Sequence, residues 1–210
     1  HAGRSGDYRM DRIAQLYAEY EKRLHEANAL DFDDIILKTV ELLETFEDVR
    51  TYYQQKFHYV MIDEYQDTNQ LQYQLTSLLA GGYENICVVG DDDQSIYAFR
   101  GSDPGIMLGF ERDYPGSARI TLSNNYRSHE EIVCFSSHVI ARNEHRFPKE
   151  IRAVQGPGGR ALRYQTADTL QEYALVLKNI REELARGIPP ERIAVLFRTQ
   201  TLARPLISEF

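Results

Sequence analysis

Two short apolar runs, each followed at once by acidic residues, constrain what this chain can fold into. Residues 59–62 lead into Asp63–Asp67, and Ile86–Gly90 leads into Asp91–Gln94. Runs of four or five residues rich in β-branched side chains are typical of strands buried on both faces of a parallel α/β sheet. In such sheets ligands bind just beyond the carboxyl ends of the strands. The sequence therefore predicts a binding site where both strands end.

The charge of the chain is distributed unevenly. The formal net charge is −8, but residues 58–118 contain 2 basic and 10 acidic side chains, whereas residues 119–210 contain 14 and 10. Six of the ten acidic residues in the middle segment follow the two apolar runs. Unpaired carboxylates gathered in one place require a cation, and Mg²⁺ is the simplest choice.

Composition favours a soluble globular protein. Apolar residues make up 42% of the 210 positions, and no apolar stretch approaches the roughly 20 residues that a membrane span needs. Residues 1–7 lack the apolar core of a signal peptide, so we expect a cytoplasmic protein without membrane contact. Cys87 lies in an apolar run and Cys134 on a helical pattern, which predicts two buried, reduced thiols.

The chain begins with helical patterns. Apolar residues recur at helical spacing at Ile13, Leu16, Tyr17, Tyr20 and Leu24. A second helix is predicted after Asp31 as its N-cap, with Phe32, Ile35, Ile36 and Leu43 facing inward. A helix over 69–79, closed by two glycines, separates the two apolar runs, which makes residues 58–118 a βαβ unit.

The rest of the chain repeats this pattern more loosely. Further strands are predicted over Ala118–Leu122, Ala161–Gln165 and Ile193–Phe197. A helix is predicted to begin near His129, and another after Asp168 as its N-cap. The change of charge near residue 119 suggests three segments: a helical lead-in over 1–57, an α/β layer over 58–118 and the start of another over 119–210.

The Asp63–Glu64 pair at a strand end is the arrangement in which the first carboxylate holds Mg²⁺ and the second activates an attacking water. Many surface strands also end in two acids, so the pair alone leaves a structural role open. The neighbouring motifs favour the chemical role.

Three motifs carry a resemblance to a known family. Asp63–Asn69, Gly90–Gly101 and Leu122–Ser128 resemble, in order, motifs II, III and IV of the UvrD/Rep/PcrA family of superfamily 1 DNA helicases. Asp31–Asp34 and Ala194–Arg204 resemble the family's acidic-aromatic element and its motif IVa. The resemblance implies an α/β protein with a partial RecA-like, parallel-sheet P-loop NTPase fold and a helical N-terminal segment.

The resemblance also implies roles for single residues. Asp63 would hold Mg²⁺, and Glu64 would be the catalytic base. Gln94 would contact the γ-phosphate of ATP and couple its loss to movement. Arg127 would be an arginine finger in cis on the same phosphate, and Tyr126 would stack on the adenine.

An aromatic and basic set follows Gln94 closely. Tyr97, Phe99 and Arg100 suit single-stranded DNA, because bases stack on rings and a guanidinium binds phosphate. The alternative is that both rings are core residues of a short helix.

One expected element is missing from the sequence. No Gly-x-x-x-x-Gly-Lys-Ser/Thr occurs in it, so the loop that cradles the β-phosphate is absent. The resemblance therefore implies an internal fragment of an ATP-dependent 3′-to-5′ helicase that hydrolyses ATP poorly alone. Its substrates would be single-stranded DNA and duplex junctions, and its partners DNA-repair or replication proteins.

Two other functions stay open at this point. One is a Mg²⁺-dependent nuclease built on Asp63, Asp67, Asp91 and Asp93. The other is a non-catalytic nucleic-acid or protein-binding module with a degenerate motor fold. Intact Glu64 favours the helicase over the binding module.

Overall fold

The computed structural model describes residues 8–158 and 160–207, in which helices alternate with short strands. The first seven residues, and with them the signal-peptide prediction, lie outside the described residues. The helices are α1 (Tyr8–Glu26), α2 (Phe32–Thr45), α3 (Glu47–Lys56), α4 (Gln70–Ala80), α5 (Pro104–Leu108), α6 (Phe110–Asp113), α7 (Glu130–Ile140), α8 (Thr169–Ala185) and α9 (Arg204–Ile207). The strands are β1 (Val60–Ile62), β2 (Ile86–Val88), β3 (Asn124–Asn125) and β4 (Arg152–Ala153).

The predicted βαβ unit is confirmed. Strands β1 and β2 pair in parallel, with Met61 opposite Cys87 at the centre of the register, and α4 connects them. Asn69 caps α4: its side chain accepts a hydrogen bond from Gln72 N at 2.9 Å, and Gln72 Oε1 accepts one from Asn69 N at 3.0 Å. These two hydrogen bonds satisfy backbone N–H groups that the start of a helix leaves without partners.

The apolar core beside this unit is formed by α2, α3 and α4. Val40 and Leu43 of α2 and Ala80 of α4 are buried. The predicted N-cap Asp31 is confirmed, since its Oδ1 accepts a hydrogen bond from Asp34 N at 2.9 Å. Arg50 of α3 donates to the carbonyl oxygen of Leu43 at 3.0 Å, which ties α3 to the end of α2.

The prediction that both faces of the strands are buried is wrong. Met61 is 76% exposed, and Cys87, its partner in the register, is also exposed. The described sheet has two strands and α4 on one side, so the side chains at the strand centres face away from that helix. Cys134 on α7 is exposed as well, which corrects the expectation of two buried thiols.

Several helical side chains predicted to face a core are exposed. No residue of α1 is buried, and Phe32 and Ile35 of α2 are exposed. The periodicity identified the helices correctly, but it cannot say whether another element covers the apolar face.

The three later strands are also predicted wrongly. Residues 118–122, 161–165 and 193–197 have no regular strand structure. The chain instead forms a short parallel pair in which Asn124 lies opposite Arg152 and Asn125 opposite Ala153. A strand needs a partner along its length, and these apolar runs lack one here. The predicted helices after His129 and Asp168 are present as α7 and α8.

No helix among the described residues is both long enough and apolar enough to cross a lipid bilayer.

Candidate functional site

Hydrogen bonding between β1 and β2 continues past the end of both strands. Val89 N donates to the carbonyl oxygen of Ile62 at 2.8 Å, and Tyr65 N donates to that of Val89 at 2.9 Å. The residues that follow each strand are thereby held at one edge of the sheet. The chain turns away from β1 at Glu64, whose φ of 52° and ψ of 42° are left-handed.

Asp63 and Glu64 are exposed at this edge. Asp63 Oδ1 accepts a hydrogen bond from Glu64 N at 2.9 Å. Neither carboxylate takes part in an ion pair within residues 8–158 and 160–207. Carboxylate oxygens without a cationic neighbour are the ligand type that Mg²⁺ prefers, but the described residues contain no group of three or more side chains that could hold a metal ion by themselves.

Gln66, to which the sequence analysis gave no role, links the two strand ends. Its side chain is 1% exposed. Its Nε2 donates to Glu64 Oε2 at 2.7 Å, and its Oε1 accepts from Asp91 N at 3.0 Å. A buried amide must find such partners. The signal available in the sequence was a polar side chain between buried positions of a motif that otherwise bears carboxylates.

Gly90 lets the two strand ends come this close. A Cβ atom on Gly90 would lie 2.6 Å from Gln66 Oε1 and 3.1 Å from Tyr65 N. Both distances are too short for a methyl group, and the second atom belongs to the backbone. The glycine at the end of β2 is therefore required by the packing of the two strand ends.

Gln94 lies at the end of the 3-10 helix Asp92–Gln94 and is exposed. Its Nε2 donates to Asp91 Oδ2 at 2.8 Å. Asp91 also caps this helix, because its Oδ1 accepts from Asp93 N at 3.1 Å. Glu64 and Gln94 are thus connected through Gln66 and Asp91.

The expectation that Asp91–Asp93 need a metal cation is wrong. Lys149 donates to all three carboxylates: it contacts Asp91 and lies 2.6 Å from Asp92 and 3.0 Å from Asp93. Arg146 binds both oxygens of Asp93, through Nε at 2.7 Å and Nη2 at 2.6 Å. Side chains of the protein itself supply the positive charge at this turn.

Hydrogen bonds lower the pKa values of two carboxyl groups in this turn, those of Asp91 and Asp93. Burial raises the pKa of Asp91, but hydrogen bonds from Lys149 and Gln94 outweigh burial and leave that pKa below its ordinary value. Burial likewise raises the pKa of Asp93, and the bonds from Arg146 and Lys149 reverse the shift. Asp91 and Asp93 already form ion pairs with lysine and arginine side chains of the protein. The nuclease alternative therefore loses two of its four proposed metal ligands.

The aromatic and basic set after Gln94 forms one exposed patch. The rings of Tyr97 and Phe99 have centroids 5.8 Å apart at an interplanar angle of 35°. The Arg100 guanidinium lies 5.4 Å and 5.6 Å from the two centroids. Phe99 is 76% exposed and Tyr97 38%, so neither ring is a core residue.

Tyr126 and Arg127 are exposed on the loop between β3 and α7. Asn125 Oδ1 accepts from Arg127 N at 3.0 Å and from Ser128 N at 2.9 Å. Gln155 Nε2 donates to the carbonyl oxygens of Tyr126 and Arg127 at 2.7 and 3.0 Å. Sequence reasoning missed Asn125 and Gln155 as the side chains that shape this loop. Within the described part of the chain, the Arg127 side chain makes no ion pair with Asp63 or Glu64.

Comparison with known proteins agrees with these motifs. Residues 1–115 match the family model for the UvrD/REP helicase N-terminal domain, and residues 120–210 match the model for the UvrD-like helicase C-terminal domain. The chain is 40% identical over 204 residues to the ATP-dependent DNA helicase PcrA of Staphylococcus aureus, which is 97% of this chain and 28% of that protein. It is 39% identical over 206 residues to PcrA of Staphylococcus epidermidis, again over 28% of the relative.

The chain thus spans less than a third of the length of these relatives. Within that span the two models together cover both strand ends and the loop that carries Arg127. The chain belongs to the UvrD-like family of helicases.

Proposed function

We propose that this chain is part of an ATP-dependent DNA helicase that moves 3′ to 5′ along single-stranded DNA. The observation that carries the proposal is the link from Glu64 through Gln66 and Asp91 to Gln94. It joins an exposed carboxylate that makes no ion pair within the described residues to an exposed amide, beyond two neighbouring strand ends, the place where a parallel α/β sheet binds its ligand.

Glu64 would take a proton from the water that attacks the γ-phosphate. Gln66 donates to Glu64 Oε2, so Oε1 is the oxygen left to accept that proton. Asp63 would hold Mg²⁺, which when bound neutralises charge on the phosphates. Gln94 would hold the γ-phosphate through its exposed amide.

Arg127 would place its guanidinium on the γ-phosphate, and Tyr126 would stack on the adenine. Support comes from the exposure of both side chains and from the fixed loop beneath them. Arg127 follows β3, whereas the other proposed phosphate-site residues follow β1 and β2, so it would reach the phosphate when the two parts of the motor close on ATP.

Tyr97, Phe99 and Arg100 would bind single-stranded DNA. Two neighbouring exposed rings offer stacking surfaces, and the guanidinium beside them offers a phosphate contact. Gln94 precedes this patch by a few residues, so a shift at the phosphate would move the stacking surface directly.

The segments would divide as helical lead-in over 1–57, the latter half of a first RecA-like domain over 58–118 and the first part of a second over 119–210. The sequence lacks a Walker A loop, so ATP hydrolysis would require the longer protein. Duplex junctions would be its substrates, and DNA-repair or replication proteins its partners.

The test is ATP hydrolysis by the full-length protein with and without a single-stranded oligonucleotide. Wild type is compared with Arg127→Ala and with Arg181→Ala, an exposed arginine on α8 that serves as the matched control. We expect DNA-stimulated turnover in wild type and the control, and a loss of about 10³-fold or more in Arg127→Ala.

Turnover unchanged in Arg127→Ala would overturn the arginine assignment. A wild-type protein without ATPase activity would overturn the motor itself and favour a nucleic-acid-binding module with a degenerate motor fold.

A further inference from the structure

The Asp91–Asp93 turn is held by a segment far away in sequence. Lys149, 58 residues after Asp91, contacts all three carboxylates, and Arg146 binds Asp93 through two hydrogen bonds. The backbone N–H of Phe147 donates to Asp92 Oδ2 at 2.7 Å. Residues 146–149 therefore bind the turn through two cationic side chains and one backbone N–H group.

This contact is shielded from water at Lys149, Asp92 and Asp93, whereas the Asp91 side chain is 39% exposed. The Lys149 side chain is 11% exposed, and that of Asp92 3%. Burial lowers the pKa of Lys149, but its hydrogen bonds with Asp91, Asp92 and Asp93 outweigh burial, and the pKa lies above its ordinary value. Removing one partner from such a pair leaves the other as an uncompensated charge in a poorly hydrated place.

Lys149 and Gln94 share one carboxylate. Lys149 contacts Asp91 Oδ1, while Gln94 Nε2 donates to Asp91 Oδ2 at 2.8 Å. The orientation of the Asp91 carboxylate therefore fixes both where Lys149 lies and where the Gln94 amide points. Gln94 lies in the region matched by the N-terminal model, and Lys149 in the region matched by the C-terminal model.

We propose that Lys149 is a positioning residue for Gln94: it orients the Asp91 carboxylate, which in turn holds the Gln94 amide, and so makes γ-phosphate contact sensitive to the C-terminal part of the motor. This inference rests on the proposed function. Movement of residues 146–149 away from the turn would release Asp91 and let the Gln94 amide rotate. Lys149 itself touches neither phosphate nor DNA in this role.

The first experiment measures DNA-stimulated ATPase activity of the full-length protein. The variants are Lys149→Met, which removes the cation but keeps an unbranched apolar side chain, and Lys149→Arg, which restores the cation. The control is Lys178→Met, because Lys178 is an exposed lysine whose ion pair within the described residues is with Glu182 on its own helix.

We expect kcat to fall about tenfold in Lys149→Met, the loss that one charge-assisted hydrogen bond of about 1.4 kcal/mol explains. The KM for ATP should stay within about threefold, since the lysine contacts no nucleotide. Lys149→Arg should recover most of kcat. Loss of ATP affinity without loss of kcat, or no recovery in Lys149→Arg, would contradict a positioning role.

A double-mutant cycle with Gln94→Ala separates positioning from general stabilisation. If Lys149 acts through Gln94, then Lys149→Met lowers kcat much less in the Gln94→Ala background than in wild type. Equal losses in both backgrounds would overturn the inference. Should Lys149→Met fail to fold, Asp91→Asn takes its place in the cycle, and an unchanged kcat in that variant counts equally against the inference.

The outcomes also separate this inference from the function beneath it. A wild-type protein without DNA-stimulated ATPase activity overturns both. An active wild type with an unaffected Lys149→Met variant overturns the positioning role alone and leaves the helicase proposal standing.

Discussion

At the scale of single residues, a buried amide connects the two side chains assigned to the γ-phosphate. Gln66 donates to Glu64 and accepts from the backbone of Asp91, and Asp91 in turn accepts from Gln94. The amide group is suited to this position because it offers a donor and an acceptor at once. A carboxylate there would repel Glu64, and an aliphatic side chain would leave the N–H of Asp91 without a partner.

Substitution of Glu64 by Gln should lower DNA-stimulated ATP hydrolysis in the full-length protein by about 10² to 10⁴-fold, because it removes the proposed general base. Glutamine keeps the shape of the side chain and an acceptor for Gln66, so the thermal midpoint should hardly change. Steady-state ATPase assays and a thermal melt measure both. Retained turnover would show that another group activates the water.

Substitution of Gln66 by Leu should lower the free energy of unfolding by about 1 to 3 kcal/mol, because it leaves buried polar groups without partners. Denaturant titration measures the change. The control is Gln15→Leu on the exposed surface of α1, which should be nearly neutral. If the two variants were equally stable, the hydrogen bonds of Gln66 with Glu64 and Asp91 would contribute nothing to the stability of the fold.

At the scale of secondary structure, helix starts could be predicted and isolated strands could not. Asp31, Asn69 and Asp168 each accept a hydrogen bond from the backbone three residues on. That bond is local, so the sequence alone contains the information. The apolar run at 193–197 fails as a strand because pairing depends on a neighbour that local sequence does not specify.

The residues of the candidate site also fall into those that local sequence predicts and those that depend on contacts far away in the sequence. Asp63, Glu64 and Gln94 were predicted at strand ends from local pattern. Asp63 and Glu64 directly follow β1, whereas Gln94 ends a 3-10 helix that comes after β2. Lys149 could not be predicted, because its partners lie 58 and 57 residues away in the sequence. The carboxylates of the turn were assigned to a metal because contacts across that separation are invisible in a single sequence.

Phe99 and Arg100 of the short 3-10 helix Ala98–Arg100, with Tyr97 just before it, form the patch proposed to bind single-stranded DNA. Substitution of Phe99 by Ala should weaken that binding. One stacked base contributes about 1 to 3 kcal/mol, so the dissociation constant should rise by roughly 5 to 150-fold. Fluorescence anisotropy with a labelled oligonucleotide measures it. Phe32→Ala, at an equally exposed ring on α2, is the control; equal affinity in both variants would exclude stacking on Phe99.

At the scale of the whole molecule, the Asp91–Asp93 turn joins the region before residue 115 to the region after residue 120. Three carboxylates and two cations meet there, and of these five side chains only that of Asp91 is more than a third exposed. The charges that the sequence distributes unevenly thus meet in space, since acidic residues of the middle segment pair with basic residues of the last one.

This pairing makes stability depend on pH in a defined direction. The pKa values of Asp91 and Asp93 are lowered in the folded protein, so their ionised forms stabilise it above their ordinary pKa of about 3.9. That contribution is lost as the pH falls through the lowered values. At pH 7 the thermal midpoint of Lys149→Met should lie about 5 °C below that of wild type.

The difference in thermal midpoint between Lys149→Met and wild type should shrink as the pH falls below about 4, because protonated carboxyl groups are neutral and no longer attract the lysine. Thermal melts from pH 7 to pH 3 follow it, with Lys178→Met as the control. A difference that stays constant over this range would mean that Lys149 stabilises the protein by packing rather than by charge.

Because the backbone of Glu64 is left-handed, the residue that most favours folding at this position differs from the one that the proposed ATP hydrolysis needs. A residue with a Cβ costs about 1 to 2 kcal/mol in that conformation, whereas glycine adopts it freely and asparagine at lower cost than most. Selection of variant libraries for heat resistance alone should therefore enrich Gly and Asn at position 64. Selection for ATP-driven function should return Glu, so sequencing the two pools would show that the residue best for folding there is not the one best for catalysis.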